Sequence, residues 1–297
     1  MDLKQLNAFV VVADTGSMVA AASQLGLSQP SLSRLIRQLE ADLGSRLLHR
    51  TGRGVSVTDS GRMVMEQARA LLDQATALRQ SVAAHQGQVS GQLAFGLPPS
   101  MGVYLSGPLI SDYHRRYPLV HLQIGEALSG DLQERLLAHK LDLAILYDGA
   151  ISASLSVLPL GREPLLLIGP ADQAPMQQRD ITFEQVARLP LVLPGVRHGL
   201  RALLEQYAFR ESRPLTLAVE ADSLRVQLDL VRRGLGFTIL PARTLKALND
   251  DGRLVGIPVL SPSLERRSVL AWRRDAVLSP ATLAMRDAVL DQIASYA

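Results

Sequence analysis

The sequence predicts an all-α head with a helix-turn-helix, a long linking helix, and a two-lobed α/β region. Three observations predict it. Residues Ser17 to Glu40 combine a small-residue helix, a turn at Gly26 and a second helix opened by a cap and a proline. Residues 64–82 carry apolar positions at heptad-like spacing, and from Gly91 onward short apolar strands alternate with helices.

In the head, Leu3, Leu6, Phe9, Val10 and Ala13 form the apolar stripe of a first helix, and Ala20 to Leu25 supply small residues that let the next helix approach closely. In the third helix Ser28 is placed to cap, and Pro30 falls in the first turn, where its missing N–H costs nothing. Leu32, Leu35, Ile36 and Leu39 share one stripe, so that stripe faces a core. Ser33, Arg34, Arg37 and Gln38 point the opposite way, with Gln29 at the leading end. A helix in a major groove needs short hydroxyl and amide groups for base edges, and guanidinium groups for guanine or phosphate. A solvated amphipathic helix would show the same polar face, and the neighbouring elements tip the balance toward DNA. Leu43 to Thr58 reads as a two-stranded wing with a glycine-rich tip, and Arg46, Arg50, Arg53 and Arg62 lie in or beside it against one acid, Asp59. Such a hairpin suits phosphate or minor-groove contact.

Thr58 is a plausible cap for the linking helix, whose Val64, Ala68, Leu71, Ala75, Leu78 and Val82 recur at heptad-like intervals. Packing on its own domain would give a similar stripe, but the seam runs about five turns beyond the head, which favours pairing with a second copy. The helix gives out around His85-Gln86-Gly87-Gln88, where the hinge is expected.

Strands are expected at 92–96, 119–125, 142–147, 164–168, 190–193, 215–219, 236–240 and 268–272, with helices around 101–117, 129–139, 198–209, 222–233, 241–249 and 280–295. This alternation implies largely parallel sheets. Gly161-Arg162 and Arg266-Arg267 are sensible crossovers between two lobes, the last strand and helix returning to the first lobe. Ligands in such folds bind between lobes, at the carboxyl ends of strands and near helix N-termini. That rule selects Ser100 after Pro98-Pro99, Ser129 before Gly130, Tyr147 at a strand end, and the Pro194 to Leu200 segment with Arg197, His198 and Arg201 nearby. Gly234 to Thr238, with Phe237, turns from helix to strand. Each serine equally fits a simple N-cap, and His198 a surface histidine.

Composition narrows the function classes. Net charge is +3, so cationic character is local and suits a sequence reader better than a nucleic-acid coat. With no cysteine, disulfides, thiolate metal sites and thiol redox sensing are excluded. The start lacks a signal-peptide pattern and no apolar run suits a membrane span, so a cytoplasmic location without membrane contact is expected. No Gly-x-Ser-x-Gly, Walker, dinucleotide-glycine or His-Glu-x-x-His motif occurs, and the six histidines are scattered, so neither enzyme activity, nor a cofactor, nor a metal is expected. The rival reading is a two-lobed α/β small-molecule binder or enzyme, which would leave residues 17–58 idle.

Residues 1 to about 88 resemble the winged helix-turn-helix and linker helix of LysR-type bacterial transcriptional regulators, through Leu6-x-x-Phe9, Gly16-Ser17, Ala21-Ala22, Leu27 to Ser33, Ile36-x-x-Leu39-Glu40, Leu47-x-x-Arg50 and Thr58-x-x-Gly61. Met18-Val19 departs from the aromatic or leucine followed by Thr or Ser that the family usually has. The α/β region is similar to the family's effector-binding region and to periplasmic solute-binding proteins. The resemblance implies domains at 1–58 (winged helix-turn-helix), 59–88 (linker and dimerisation) and 89–297 (effector binding), with lobe I at about 89–161 and 268–297 and lobe II at about 162–267. It implies DNA contacts from Ser28, Gln29, Pro30, Ser31, Ser33, Arg34, Arg37, Arg50 and Arg53, and effector contacts from Ser100, Met101, Ser129, Tyr147, Arg197, His198 and Phe237. It also implies a homodimer or homotetramer on an interrupted palindromic promoter site in double-stranded DNA, contact with RNA polymerase, and a small-molecule effector. Helix N-termini and Arg197 lean toward an anion. Pro98-Pro99-Ser100, Leu128-Ser129-Gly130, Leu141 to Tyr147 and His198-Gly199-Leu200-Arg201 weakly resemble the branch that contains nitrogen-assimilation control regulators.

Overall fold

Helix α1 (Leu3–Thr15) opens with a reciprocal capping box between Asp2 and Gln5 and closes on Gly16 at φ 62°. It belongs to a computed structural model that describes residues 1–51, 54–85, 88–147, 149, 151–196, 198–249 and 252–296, the side chains of 50, 51, 80, 81 and 83–85 excepted. Ser17 caps α2 (Met18–Gln24), and Ser28 caps α3 (Gln29–Leu43), in whose first turn Pro30 sits. Leu6, Phe9, Ala21, Leu32, Ile36 and Leu39 form the shared core that the three apolar stripes require. Strands β1 (Leu48–Thr51) and β2 (Gly54–Val57) make the expected antiparallel wing. Glu40 ties it to α3 by accepting from the N–H groups of Leu47 and Leu48, at 2.9 and 3.3 Å.

The long helix α4 (Asp59–His85) starts where the Thr58 hydroxyl accepts from Gly61 N–H at 2.9 Å. Gly61 is required for close approach, since a Cβ there would collide with the Leu47 carbonyl oxygen and lie 2.6 Å from Val57 Cγ1. Along the expected seam only Val64 and Ala68 pack into the head core, while Leu71, Leu78 and Val82 are 42, 68 and 58% exposed. The two compact units of the chain are Met1–Gln88 with Asp275–Pro280, and Val89–Arg274 with Ala281–Ala297. Of the expected hinge, Gln86 and Gly87 lie outside the described residues.

In the second unit, lobe I is built from β3 (Gly91–Leu97), α5 (Pro99–Arg116), β4 (Val120–Glu126), α6 (Ser129–Leu137) and β5 (Leu143–Tyr147). Its three strands are parallel, so their carboxyl ends and the starts of α5 and α6 lie along one edge. Pro108 removes the N–H that would meet the Tyr104 carbonyl inside α5, and that oxygen instead accepts from the Tyr296 hydroxyl at 3.3 Å. Strand β6 (Leu155–Pro170) then crosses into lobe II, which holds β7 (Ile181–Thr182), α7 (Phe183–Arg188), β8 (Leu191–Leu193), α8 (Gly199–Arg210) and β9 (Leu217–Glu220). It continues with α9 (Leu224–Arg232), β10 (Thr238–Pro241), α10 (Ala242–Leu248) and β11 (Leu254–Leu260). Strand β12 (Glu265–Arg273) returns to lobe I, and α11 (Pro280–Ala294) puts Ala281, Met285 and Val289 into that lobe's core with Phe95, Leu105 and Tyr113.

The expectation of largely parallel sheets is corrected here. Strands β6 and β12 pair antiparallel from Glu265↔Pro164 to Arg273↔Leu155, β12 also pairs antiparallel with β5, and β10 and β11 pair antiparallel with β6. Parallel pairing survives within lobe I, in β8–β9 and in β7–β11. The two crossovers are thus not loops but a strand pair, joined in register through Gly161↔Ser268, Arg162↔Arg267 and Glu163↔Arg266.

Candidate functional site

The solvent face of α3 presents Gln29, Pro30, Ser31, Arg34, Arg37 and Gln38 exposed and Ser33 half-buried, directly over Leu32, Ile36 and Leu39. Core packing therefore fixes which residues face outward. Ser28 is also exposed, but its hydroxyl is engaged with the Ser31 N–H and hydroxyl, at 3.3 and 2.8 Å. Arg37 Nε donates to the Ser33 carbonyl at 3.3 Å, and among the described residues Arg34 has no ion-pair partner. Of the two wing arginines in the expected set, Arg53 lies outside the described residues, and Arg50 is placed on β1 with its side chain undescribed.

In the second unit the edge between the lobes gathers Ser100, Tyr147 and His198 around a residue that the sequence reading left among the crossovers, Arg266. This guanidinium is buried, donates to Ser100 Oγ at 2.8 Å and to the Tyr147 hydroxyl, and lies 3.4 Å from the Tyr147 ring centroid. The Ser100 and Tyr147 hydroxyls are 3.0 Å apart. Arg266 Nε is 3.4 Å from Oε2 of Glu163, itself buried, while Glu163 Oε1 accepts from the Tyr104 hydroxyl at 2.6 Å. Burial, with the Glu163 charge adding, raises the Tyr104 phenol. Burial also raises Tyr147 despite the opposing Arg266 charge, so both phenols stay neutral donors.

His198 caps α8, its Nδ1 accepting from Leu200 N–H at 3.1 Å. Burial lowers its pKa to about 4, the Arg266 charge acting in the same direction and Asp222 against it. A neutral ring with Nδ1 accepting carries its proton on Nε2, so His198 keeps one donor to offer. Two spaces adjoin this cluster. A narrow one of about 20 Å³ is lined by Ser100, His198, Asp222, Gln227 and Arg266 among others, and a wider one of about 370 Å³ by Tyr147, Gly199, Leu203, Arg210, Arg266 and Arg267 among others.

Other expected effector residues go elsewhere. Met101 and Phe237 are 1 and 4% exposed in the hydrophobic cores of lobes I and II, and neither lines the two spaces described above. Both follow from local backbone: Met101 is on the buried side of α5's first turn, and Phe237 packs onto Gly169, where a Cβ would come within 2.6 Å of its ring. The Ser129 hydroxyl accepts from Tyr147 N–H at 3.0 Å, holding the end of β5. Arg201 is taken up by Glu205 and Glu220 at 2.7 and 3.0 Å. Arg197 lies outside the described residues. Glu163, Tyr104 and Arg266 were missed because Glu163 and Arg266 sit in charged stretches that look solvated until the strand alternation places them inward and Arg162 and Arg267 outward.

Comparison with known proteins places both units. The family described as LysR substrate binding domain matches residues 86–294, and the family described as bacterial regulatory helix-turn-helix protein, lysR family, matches residues 3–62. The nitrogen assimilation regulatory protein Nac of Escherichia coli is 30% identical over 298 residues, covering 99% of this chain and 96% of its own. The regulator BbuR of Bordetella bronchiseptica is 32% identical over 240 residues, 81% of this chain and 74% of its own. Among solved structures, a full-length OxyR variant from Pseudomonas aeruginosa superposes with a TM-score of 0.80 at 29% identity, covering 99% of this chain and 94% of that one. CbnR in complex with its target DNA shares the fold, with a TM-score of 0.64 at 21% identity over 98% of this chain and 100% of that one.

Proposed function

The chain belongs to the LysR family of bacterial transcriptional regulators, and from that premise we propose which residues read DNA, which hold the effector, and how the two are coupled. It is a DNA-binding regulator with an effector-binding domain. Gln29, Pro30, Ser31, Ser33, Arg34 and Arg37 of α3 enter the major groove, Ser28 fixes the start of that helix, and Arg50 and Arg53 of the wing approach the backbone or minor groove. The observation that carries this assignment is the polar face of α3, which the core beneath it holds outward with Arg34 unpaired among the described residues.

Two heads act together through α4. Met63, Leu71, Leu78 and Val82 are exposed, and the first two line an apolar groove of about 380 Å³ with Leu6, Leu43 and Val64. A second copy of α4 laid along this stripe would bury it and set two recognition helices on half-sites about one DNA turn apart. The dimer, or a tetramer built from it, works on promoter DNA in the cytoplasm and touches RNA polymerase. A small molecule bound beside Ser100, Tyr147 and His198 shifts lobe or dimer geometry and so the bend of the DNA. The chain has no cysteine, so a thiol-based response is not available to it.

The test is fluorescence anisotropy of full-length protein on duplex DNA from upstream of its own gene, against a scrambled duplex, at two salt concentrations. Arg34→Ala and Arg37→Ala should each weaken specific binding by about 1–3 kcal/mol where the guanidinium meets a base. Wild-type footprints from both variants would remove α3 from the interface.

A further inference from the structure

The lobes are joined by β6 and β12, and a strand pair alone lets two bodies rock about it. A second attachment lies off that line. Helix α10 of lobe II packs on α5 of lobe I, where the fully buried Thr244 hydroxyl donates to the Ser100 carbonyl at 2.9 Å. Its neighbour Arg243 reaches Tyr296, which follows α11 of lobe I. The guanidinium donates to the Tyr296 carbonyl and lies 5.3 Å from the Tyr296 ring centroid. Arg243 has no ion-pair partner among the described residues, so its charge is committed to these two neutral groups. The Tyr296 ring meets Tyr104 edge-on, centroids 5.8 Å apart at 74°, and its hydroxyl fills the Tyr104 carbonyl that Pro108 leaves open. Tyr104 gives its own hydroxyl to Glu163 on β6, and β6 pairs with β10, which runs into α10. The chain of contacts therefore closes on itself across both lobes.

We propose that Arg243 and Tyr296 form a clasp that holds the lobes in this arrangement, and that lobe rearrangement requires its release. The two links between α10 and lobe I differ in kind. The Thr244 bond is buried and serves as the pivot. Arg243 and Tyr296 are half-buried, so water replaces their contact at little cost and this is the link that opens. Tyr296 also acts as a positioning residue, since it steadies Tyr104 and through it the crossover strand. The clasp rests on the proposed function only in that lobe movement carries the signal.

The chain has no cysteine, so a nitroxide pair can be placed without background. Glu134→Cys on α6 and Phe209→Cys on α8, both exposed, put one label on each lobe. Double electron–electron resonance of full-length protein, diluted with unlabelled copies, then reads the distance within one chain. One distance should dominate with the clasp intact. Arg243→Gln, which loses both contacts, should raise the ratio of a second distance to the first about tenfold. Tyr296→Leu keeps the backbone carbonyl and should raise it about threefold, whereas Tyr296→Phe keeps the ring and should stay within about twofold of wild type. Added to Arg243→Gln, Tyr296→Leu should have no further effect, since only Arg243 spans the lobes. A wild-type distance distribution in folded Arg243→Gln overturns the clasp, as do effects that add in the double variant. Should Arg243→Gln fail to fold, a wild-type distribution in Tyr296→Leu overturns it instead. Operator anisotropy of the same variants tests the other reading separately: a released clasp with unchanged DNA binding keeps the clasp and removes lobe movement as the signal.

Discussion

Gly61→Ala is the smallest change that should unseat the head. The added Cβ meets the Leu47 carbonyl oxygen and approaches Val57 Cγ1 at 2.6 Å, and neither atom can swing aside, one being backbone and the other a core-facing methyl on β2. The same carbonyl accepts from Thr58 N–H at 2.9 Å, and the Thr58 hydroxyl accepts from Gly61 N–H at 2.9 Å, so retreat of α4 breaks the joint between wing and linker. Overpacking costs about 1–3 kcal/mol and loss of the cap about 1 kcal/mol, for a total of about 2–4 kcal/mol. In a domain this small each kcal/mol moves the transition by about 4–8 °C, so the head should melt about 10–30 °C early. All tyrosines and the tryptophan lie at or beyond position 104, so the tyrosine and tryptophan bands of the near-ultraviolet dichroism follow the second unit alone. Early loss of far-ultraviolet helix signal without near-ultraviolet change isolates the head. Gly130→Ala is the control: nothing lies within 4 Å of a Cβ there, and the change should be neutral or stabilise by up to about 1 kcal/mol. A Gly61→Ala protein that melts with wild type and binds the operator normally would refute the close-approach argument.

Two further outcomes are expected. Leu78 is 68% exposed on the α4 seam, so Leu78→Glu should leave the head's melting unchanged. It should raise the dimer dissociation constant on the order of a hundredfold, since a two-fold seam loses the apolar contact twice, and sedimentation velocity at micromolar protein that matches wild type would exclude the seam. His198 has a folded pKa of about 4 against an ordinary 6.5, so as pH falls the unfolded chain takes up its proton first and stability is lost between those values. His198→Asn keeps an N-cap acceptor and should flatten the dependence of the second unit's melting on pH across that window, by no more than about 3 kcal/mol; an unchanged slope would place the titration elsewhere.

The head was legible almost to the residue because its signals are local. Caps at Ser28 and Thr58, stripes at helical spacing and the glycine of the turn at Gly26 act within a few residues of where they sit. The second unit was less so. The first half of β6 contains Pro159 and Gly161, and β11 contains Gly256 and Pro258, all of which argue against a strand from sequence alone. Pairing tolerates Pro159 and Gly161 because the register shifts between Ser268 and Val269, their partners on β12. One missed helix did carry a signal: Thr182 and Gln185 form a capping box at the start of α7. At the candidate site, Ser100, Tyr147 and His198 were proposed from the rule about strand ends. Their partners Glu163 and Arg266 are adjacent only through β6–β12 register, a relation across 103 residues that no local pattern encodes.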